Sequence, residues 1–299
     1  MAPLFQHRWR RWQRLSAIAS VTLLTSWLGT AAASGAIADS TPAHTPIAPL
    51  AELADRRLGP QVCPADLAPA MDAIVGRSQF ASAQWGIQVS SLSTDQPLYT
   101  HNSERLLIPA SNIKLMTTAA AIQTILEQAP ERLWDFRDDL NLVNRNSNNA
   151  RADDLLHSMG GQSRVRRLLA PLGVDPNSYV QADGSGLSRR NQAKPSAFVA
   201  LLKGMHETDE SGLFYDSLPV GGVNGTLRNR FKGTAAHGRV RAKTGTLRGV
   251  RALSGYLETA DDDTIIFSIV VNQPGQSGRV MLDAIDEMVL TLAQLESCE

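Results

Sequence analysis

Apolar positions recur with a helical period at Leu67, Met71, Ile74 and Val75, which predicts a helix over Pro64–Val75. Trp85-Gly-Ile87-Gln-Val89 alternates with a period of two, and Pro97-Leu-Tyr99-Thr follows the turn residues Thr94-Asp95-Gln96, so these two runs predict a hairpin. A long stretch of good helix formers runs from Pro109 to about Gln128, offering Ile113, Met116, Ala120, Ile125 and Leu126 to a core before Pro130 stops it. Asn141–Asn149 is polar and turn-like, and Ala150–Leu169 predicts a further helix. Glycines mark loops at Asp183–Leu187 and Gly221–Gly225. Arg239–Lys243, Val250–Thr259 and Thr264–Val271 then predict three successive strands, and Gly278–Leu295 a closing amphipathic helix. A hairpin, helices, a strand meander and a terminal helix together predict an α/β chain of the α+β kind, with an antiparallel sheet flanked by helices on its faces.

The amino-terminal stretch has a different pattern. Arg8, Arg10, Arg11 and Arg14 precede a short apolar run, Leu15–Leu28, and Ala36-Ile37-Ala38 offers a small-residue cleavage site. That is the grammar of an export signal over residues 1–38. The apolar run is shorter than the roughly 20 residues that span a bilayer, so no permanent membrane span is expected. Arg10-Arg11 invites a twin-arginine reading, which the following Trp-Gln-Arg fits poorly. Residues 39–60, rich in Pro, Ala and Thr, predict a flexible linker, and residues 61–299 are long enough for one large domain. Without the signal, 25 basic residues face 29 acidic ones. There is no basic stripe or aromatic platform, so no nucleic-acid partner is expected. Cys63 and Cys298 are the only cysteines, one near each end of the domain. In an exported protein they form either one disulfide or two free thiols, and the habit of domain termini to lie close favours the bridge.

Chemistry enters through three strings in one order. Ser111-Asn112-Ile113-Lys114 places a serine and a lysine on one face of a helix start, about 5–6 Å apart at Cβ. A serine hydroxyl is a weak nucleophile until a base takes its proton, and a lysine serves only if burial and nearby positive charge lower its pKa. The chain holds five lysines against 24 arginines, and two of the five fall in these strings. Arginine cannot release a proton, so it could not replace a lysine base. Ser147-Asn148-Asn149 lies in the polar loop, where asparagine equally suits a helix N-cap. Lys243-Thr244-Gly245 ends one predicted strand and turns into the next, with Gly245 leaving room for a substrate backbone. Each string alone also fits an ordinary helix, cap or hairpin. Together they read S-x-x-K, S-x-N and K-T-G, the signature of serine enzymes acylated by penicillin or by D-alanyl peptides. A G-x-S-x-G elbow is missing, and the six histidines show no metal spacing.

With these strings, and with Asp183-Gly-Ser-Gly-Leu-Ser-Arg189 and Gly225-Thr-Leu-Arg-Asn-Arg230, the chain resembles the serine D-alanyl-D-alanine carboxypeptidases and endopeptidases among the low-molecular-mass penicillin-binding proteins. The resemblance covers roughly residues 63–295. It implies a β-lactamase/transpeptidase-like fold with no metal or organic cofactor, and action on peptidoglycan stem peptides in the periplasm or cell envelope, with β-lactams as ligands. It further implies Ser111 as the acylated nucleophile, Lys114 as its base and Ser147 as the proton relay to the leaving D-alanine. Asn149 would hold the substrate's peptide carbonyl, Lys243 and Thr244 would meet its carboxylate, and the backbone N–H groups of Ser111 and Thr246 would form the oxyanion hole. Two other classes share the fold: a catalytically weakened cell-wall-binding module, and a β-lactamase- or esterase-like hydrolase.

One departure is large. The resembled subgroup carries two inserted subdomains between its first two motifs, whereas 32 residues separate Lys114 from Ser147 here. A helix from Ser111 to Gln128 rises about 25 Å, and the 15 residues Ala129–Val143 reach up to roughly 50 Å when extended, so the three motifs can still meet.

Overall fold

In a computed structural model the described residues are 61–259 and 263–296. The expected export signal (1–38), the linker (39–60) and Cys298 lie outside them. Among the described residues no helix is long and apolar enough to cross a membrane.

The core is a five-stranded antiparallel sheet. Its strands are β1 (Gln84–Ser91), β2 (Pro97–His101), β5 (Val240–Leu247), β6 (Val250–Glu258) and β7 (Thr264–Asn272), in the order β2-β1-β7-β6-β5. The predicted hairpin and meander thus join through β1 and β7, which pair over their whole length, Gln84 opposite Asn272 and Ser91 opposite Ile265. β3 (Tyr179–Val180) and β4 (Gln192–Ala193) form a separate two-stranded ribbon.

β7 reads Thr-Ile-Ile-Phe-Ser-Ile-Val-Val-Asn, an almost unbroken apolar run, because helices cover both sheet faces. On one face α1 (Pro64–Val75) and α7 (Gly278–Ala293) bury Leu67, Met71, Met281, Ile285 and Met288 against Ile87, Val89, Leu253, Phe267 and Ile269. Pro64 starts α1 at the position where its missing N–H costs nothing, and Ser277 caps α7. The other face meets α2 (Lys114–Gln128), α3 (Asn149–Ser158), α4 (Gln162–Leu169), α5 (Pro195–His206) and α6 (Ser211–Ser217) in a second cluster.

One expectation needs correction, and two features were not foreseen. The helix expected over Ala150–Leu169 is two helices, α3 and α4, parted by Gly160 and Gly161 at φ of 84° and 81°, a conformation an α-helix cannot hold. α5 went unpredicted because it is buried on nearly every side and leaves little periodicity, and α6 because seven residues are too few to show a period. The connection after α2 needs little of its available reach: 3₁₀ turns (Pro130–Phe136), one α turn (Arg137–Leu140) and a π turn (Asn141–Arg145) bury Leu133, Phe136, Leu140 and Val143 in the helical core.

Candidate active site

Ser111 sits in a 3₁₀ turn, Ala110–Ile113, that runs directly into α2, so its hydroxyl and the Lys114 side chain project together. Ala110 before it has a φ of 49°, and Ser147 a φ of 57°. Non-glycine residues in this left-handed region cost roughly 1–3 kcal/mol, and the surroundings must hold them there. For Ser147 the hold is visible. Asn144, fully buried, accepts from Thr118 of α2 at 3.2 Å and donates to Ser217 of α6 at 2.8 Å, which fixes the preceding loop. Asn148 then caps α3 by accepting from Arg151 N–H at 2.8 Å.

Lys114 is fully buried. Its ammonium donates to Ser111 Oγ at 2.9 Å, to Asn149 Oδ1 at 2.8 Å and to the backbone carbonyl of Ser185. Burial pulls its pKa down to about 8, partly opposed by the carboxylates of Asp153 and Asp183. Lys243 is also fully buried, donating to Ser147 Oγ at 2.9 Å and to the Thr244 carbonyl at 3.1 Å. Burial, and then the charge of Lys114, hold it well below the usual lysine range. The three strings therefore form two linked lysine–serine pairs. Thr244 Oγ1 bonds Thr226 Oγ1 at 2.9 Å, bringing in the Gly225-Thr-Leu string, while Thr246 stands exposed on the same strand.

Lys243-Thr244-Gly245 lies within β5, which continues to Leu247 and turns only at Arg248-Gly249, so the expected turn at the string is corrected. The expected role of Gly245 changes as well. A Cβ there would strike the Pro109 carbonyl and the Ala252 side chain. The glycine thus lets the nucleophile turn lie against β5. Under that turn, Asn112 donates to Ser254 Oγ at 2.7 Å, and Ser254 bonds Ser268 at 2.8 Å, a polar row across β6 and β7 opposite Lys243. β5 is an outer strand, bridged at its start by Val220, and an outer strand can accept an extended peptide.

Several contributors carried no role in the sequence reading: Asp153, Ser185 and Asn191, along with Ser254 and Ser268. Ser254 and Ser268 did leave a signal, as polar positions inside the apolar stretches of β6 and β7. Val62 bridges Leu295, so the domain's two ends meet, and no described cysteine is a free thiol. Among the described residues no group of His, Cys, Asp and Glu could hold a metal.

The sequence profile of the D-Ala-D-Ala carboxypeptidase 3 (S13) family matches residues 67–130 and 133–295. The chain belongs to that family. Its match breaks only inside the short connection after α2. The chain is 40% identical over 164 residues to a D-alanyl-D-alanine carboxypeptidase of Actinomadura sp. (strain R39), covering 50% of this chain and 30% of that protein. It is 32% identical over 174 residues to penicillin-sensitive carboxypeptidase A of Dictyostelium discoideum, covering 52% of this chain and 33% of that one. The matches thus span about a third of the length of these curated relatives. Among solved structures, penicillin binding protein 4 of Haemophilus influenzae superposes with a TM-score of 0.65 at 13% identity, covering 76% of this chain and 99% of that one. A TLA-1 extended-spectrum β-lactamase superposes at 0.62 with 16% identity, covering 77% and 99%. Both likenesses bear on the fold, which is the expected β-lactamase/transpeptidase-like one.

Proposed function

We propose that this chain is an exported serine-type D-Ala-D-Ala carboxypeptidase that acts on peptidoglycan stem peptides through an acyl-enzyme on Ser111 and is acylated by β-lactams. The observation that carries the reading is the hydrogen bonding of Lys114. A neutral amine has two N–H bonds and one lone pair. Asn149 Oδ1 and the Ser185 carbonyl accept only, so they take the two N–H bonds. The lone pair is left facing the Ser111 hydroxyl, the geometry a general base needs.

In the reaction Ser111 Oγ attacks the carbonyl carbon of the penultimate D-alanine as its proton moves to Lys114 Nζ. The N–H groups of Ser111 and Thr246 meet the developing oxyanion. Asn149 has an amide N–H₂ left to hold the substrate's peptide carbonyl. Lys243 and Thr244 meet the terminal carboxylate. Ser147, bonded to Lys243 Nζ, hands its proton to the departing amine as the C–N bond breaks, and is made good by the proton that Lys114 took from Ser111. Water then attacks the ester, and Ser111 recovers its proton. The hydrogen bonds of both lysines to serines support turnover over a weakened binding module.

Family membership supports a cell-wall setting, and the Arg-rich start of the chain supports export by a cleaved signal followed by a linker. The meeting of residues 62 and 295 supports a Cys63–Cys298 disulfide. The reading is tested by D-alanine release from a peptide ending in D-Ala-D-Ala. Wild-type protein is expected to release it and Ser111→Ala to release none; a wild type without release would contradict the assignment.

A further inference from the structure

The loop that supplies the Ser185 carbonyl belongs to none of the three active-site strings, yet it is tied down by side chains from three directions. Asp183 Oδ1 accepts from Gly186 N–H at 2.6 Å and from Asn191 Nδ2 at 2.8 Å, while Oδ2 accepts from Ser188 N–H at 2.7 Å. Asp153, reaching across from α3, accepts from Ser185 N–H at 2.8 Å. The loop is wedged between two walls. A Cβ on Gly184 would strike the Ala152 carbonyl of α3, and one on Gly186, at a φ of 86°, the Ala110 carbonyl beside the nucleophile. Thr117 of α2 fastens the loop from beneath by donating to the Gly184 carbonyl at 3.0 Å. The Ser185 carbonyl emerges between Lys114 Nζ and Ser111 Oγ: it accepts from Lys114, and at 3.3 Å is the alternative acceptor for the Ser111 hydroxyl whenever that proton is not offered to the amine.

We infer that Asp153 and Asp183 are positioning residues for acylation, gripping the 183–188 loop so that the Ser185 carbonyl orients the Lys114 amine toward Ser111. The inference rests on Lys114 being the base. Neither carboxylate touches Lys114 or Ser111 in a hydrogen bond; both act through the carbonyl between them. They also act at a distance. The charged groups that bear on Lys114 are Asp153 and Asp183, and both favour its ammonium form against burial, while the neighbouring Lys243 is itself held low by burial and by the charge of Lys114. Removing one negative charge should therefore make Lys114 release its proton more readily. A carboxylate that only held the loop together would leave the pH dependence where it was.

The test measures the second-order rate of acylation by benzylpenicillin against pH for wild type, Asp153→Asn and Asp183→Ala in the full chain, with thermal melting to establish the folded fraction. Asp153→Asn keeps an oxygen for Ser185 N–H but loses the charge, and its acid limb should move to lower pH by about half a unit or more. Asp183→Ala frees the loop, and its plateau rate per folded molecule should fall about tenfold or more, as a misplaced carbonyl no longer aims the amine. Asp183→Asn, which keeps one acceptor, should recover part of that loss. A wild type that acylates normally beside an Asp153→Asn profile that superimposes on it would overturn this inference alone. So would an unchanged plateau in Asp183→Ala. Failure of wild type to acylate would instead overturn the reading of Ser111 and Lys114, and this inference with it.

Discussion

The two faces of one sheet do different work. Toward α1 and α7, β5, β6 and β7 present Val240, Ala242, Leu253, Phe267 and Ile269, closed by methionines and leucines, with Arg251 against Gly278 and the Arg230–Asp286 ion pair as the charged groups beside them. Toward α2 the same strands present Lys243, Ser254 and Ser268, and the nucleophile turn lies on them. Apolar burial on the first face contributes of order 1.5–3 kcal/mol for each large side chain. The second face buries two lysines, which costs stability, and the cost depresses both pKa values. Stability and reactivity are thus separated by the thickness of a strand, so substitutions on the two faces should fail in different assays.

The largest effect is expected at Lys114. Lys114→Arg keeps a cation but cannot accept a proton, and acylation by penicillin should fall at least about a thousandfold while the protein stays folded. Retained acylation in a folded variant would break the separation. On the opposite face, Phe267→Ala should cost about 3–5 kcal/mol in denaturant unfolding, yet leave the acylation rate per folded molecule close to wild type. A matching loss of rate would show that the faces are coupled. Gly245→Ala probes the seam between them. Its methyl must displace the Pro109 carbonyl, so acylation should fall by about tenfold to a hundredfold, with a smaller loss of melting temperature.

The legible parts of the chain follow the same division. The hairpin could be read from its alternation and the terminal helix from its amphipathic period, while β6 and β7, covered on both faces, stood out as short apolar runs between turn residues. α5 could not, since Phe198, Leu201, Leu202 and Met205 leave it little exposed face, and α6 is too short to show a period. The reacting residues were readable as spaced strings: Ser111 with Lys114, Ser147 with Asn149, and Lys243 with Thr244. What the strings lacked was the long-range part. Asp153 and Ser185 reach Lys114 only through the folding of α3 and a glycine loop onto α2, and no local spacing encodes that meeting. Gly245 shows the opposite error. Its lack of a side chain was correctly noticed and wrongly assigned to the substrate, because the chain's own Pro109 occupies that space.

Two smaller effects sharpen the account. Below a pH of about 8 Lys114 holds a proton and has no lone pair, so acylation should fall about tenfold per pH unit on the acid side. A rate flat between pH 6 and 9 would require another base. The Cys63–Cys298 bridge should lower the mass of exported protein by two hydrogens relative to its reduced form, and full thiol alkylation without reductant would rule it out.

The central claim is that the buried Lys114–Ser111 pair makes the serine a nucleophile, and peptide mapping of penicillin-treated protein tests it most directly. The account predicts one covalent penicilloyl adduct, on Ser111, in wild type and none in Lys114→Arg. An adduct on any other residue, or an unlabelled wild type that melts cooperatively, would contradict it.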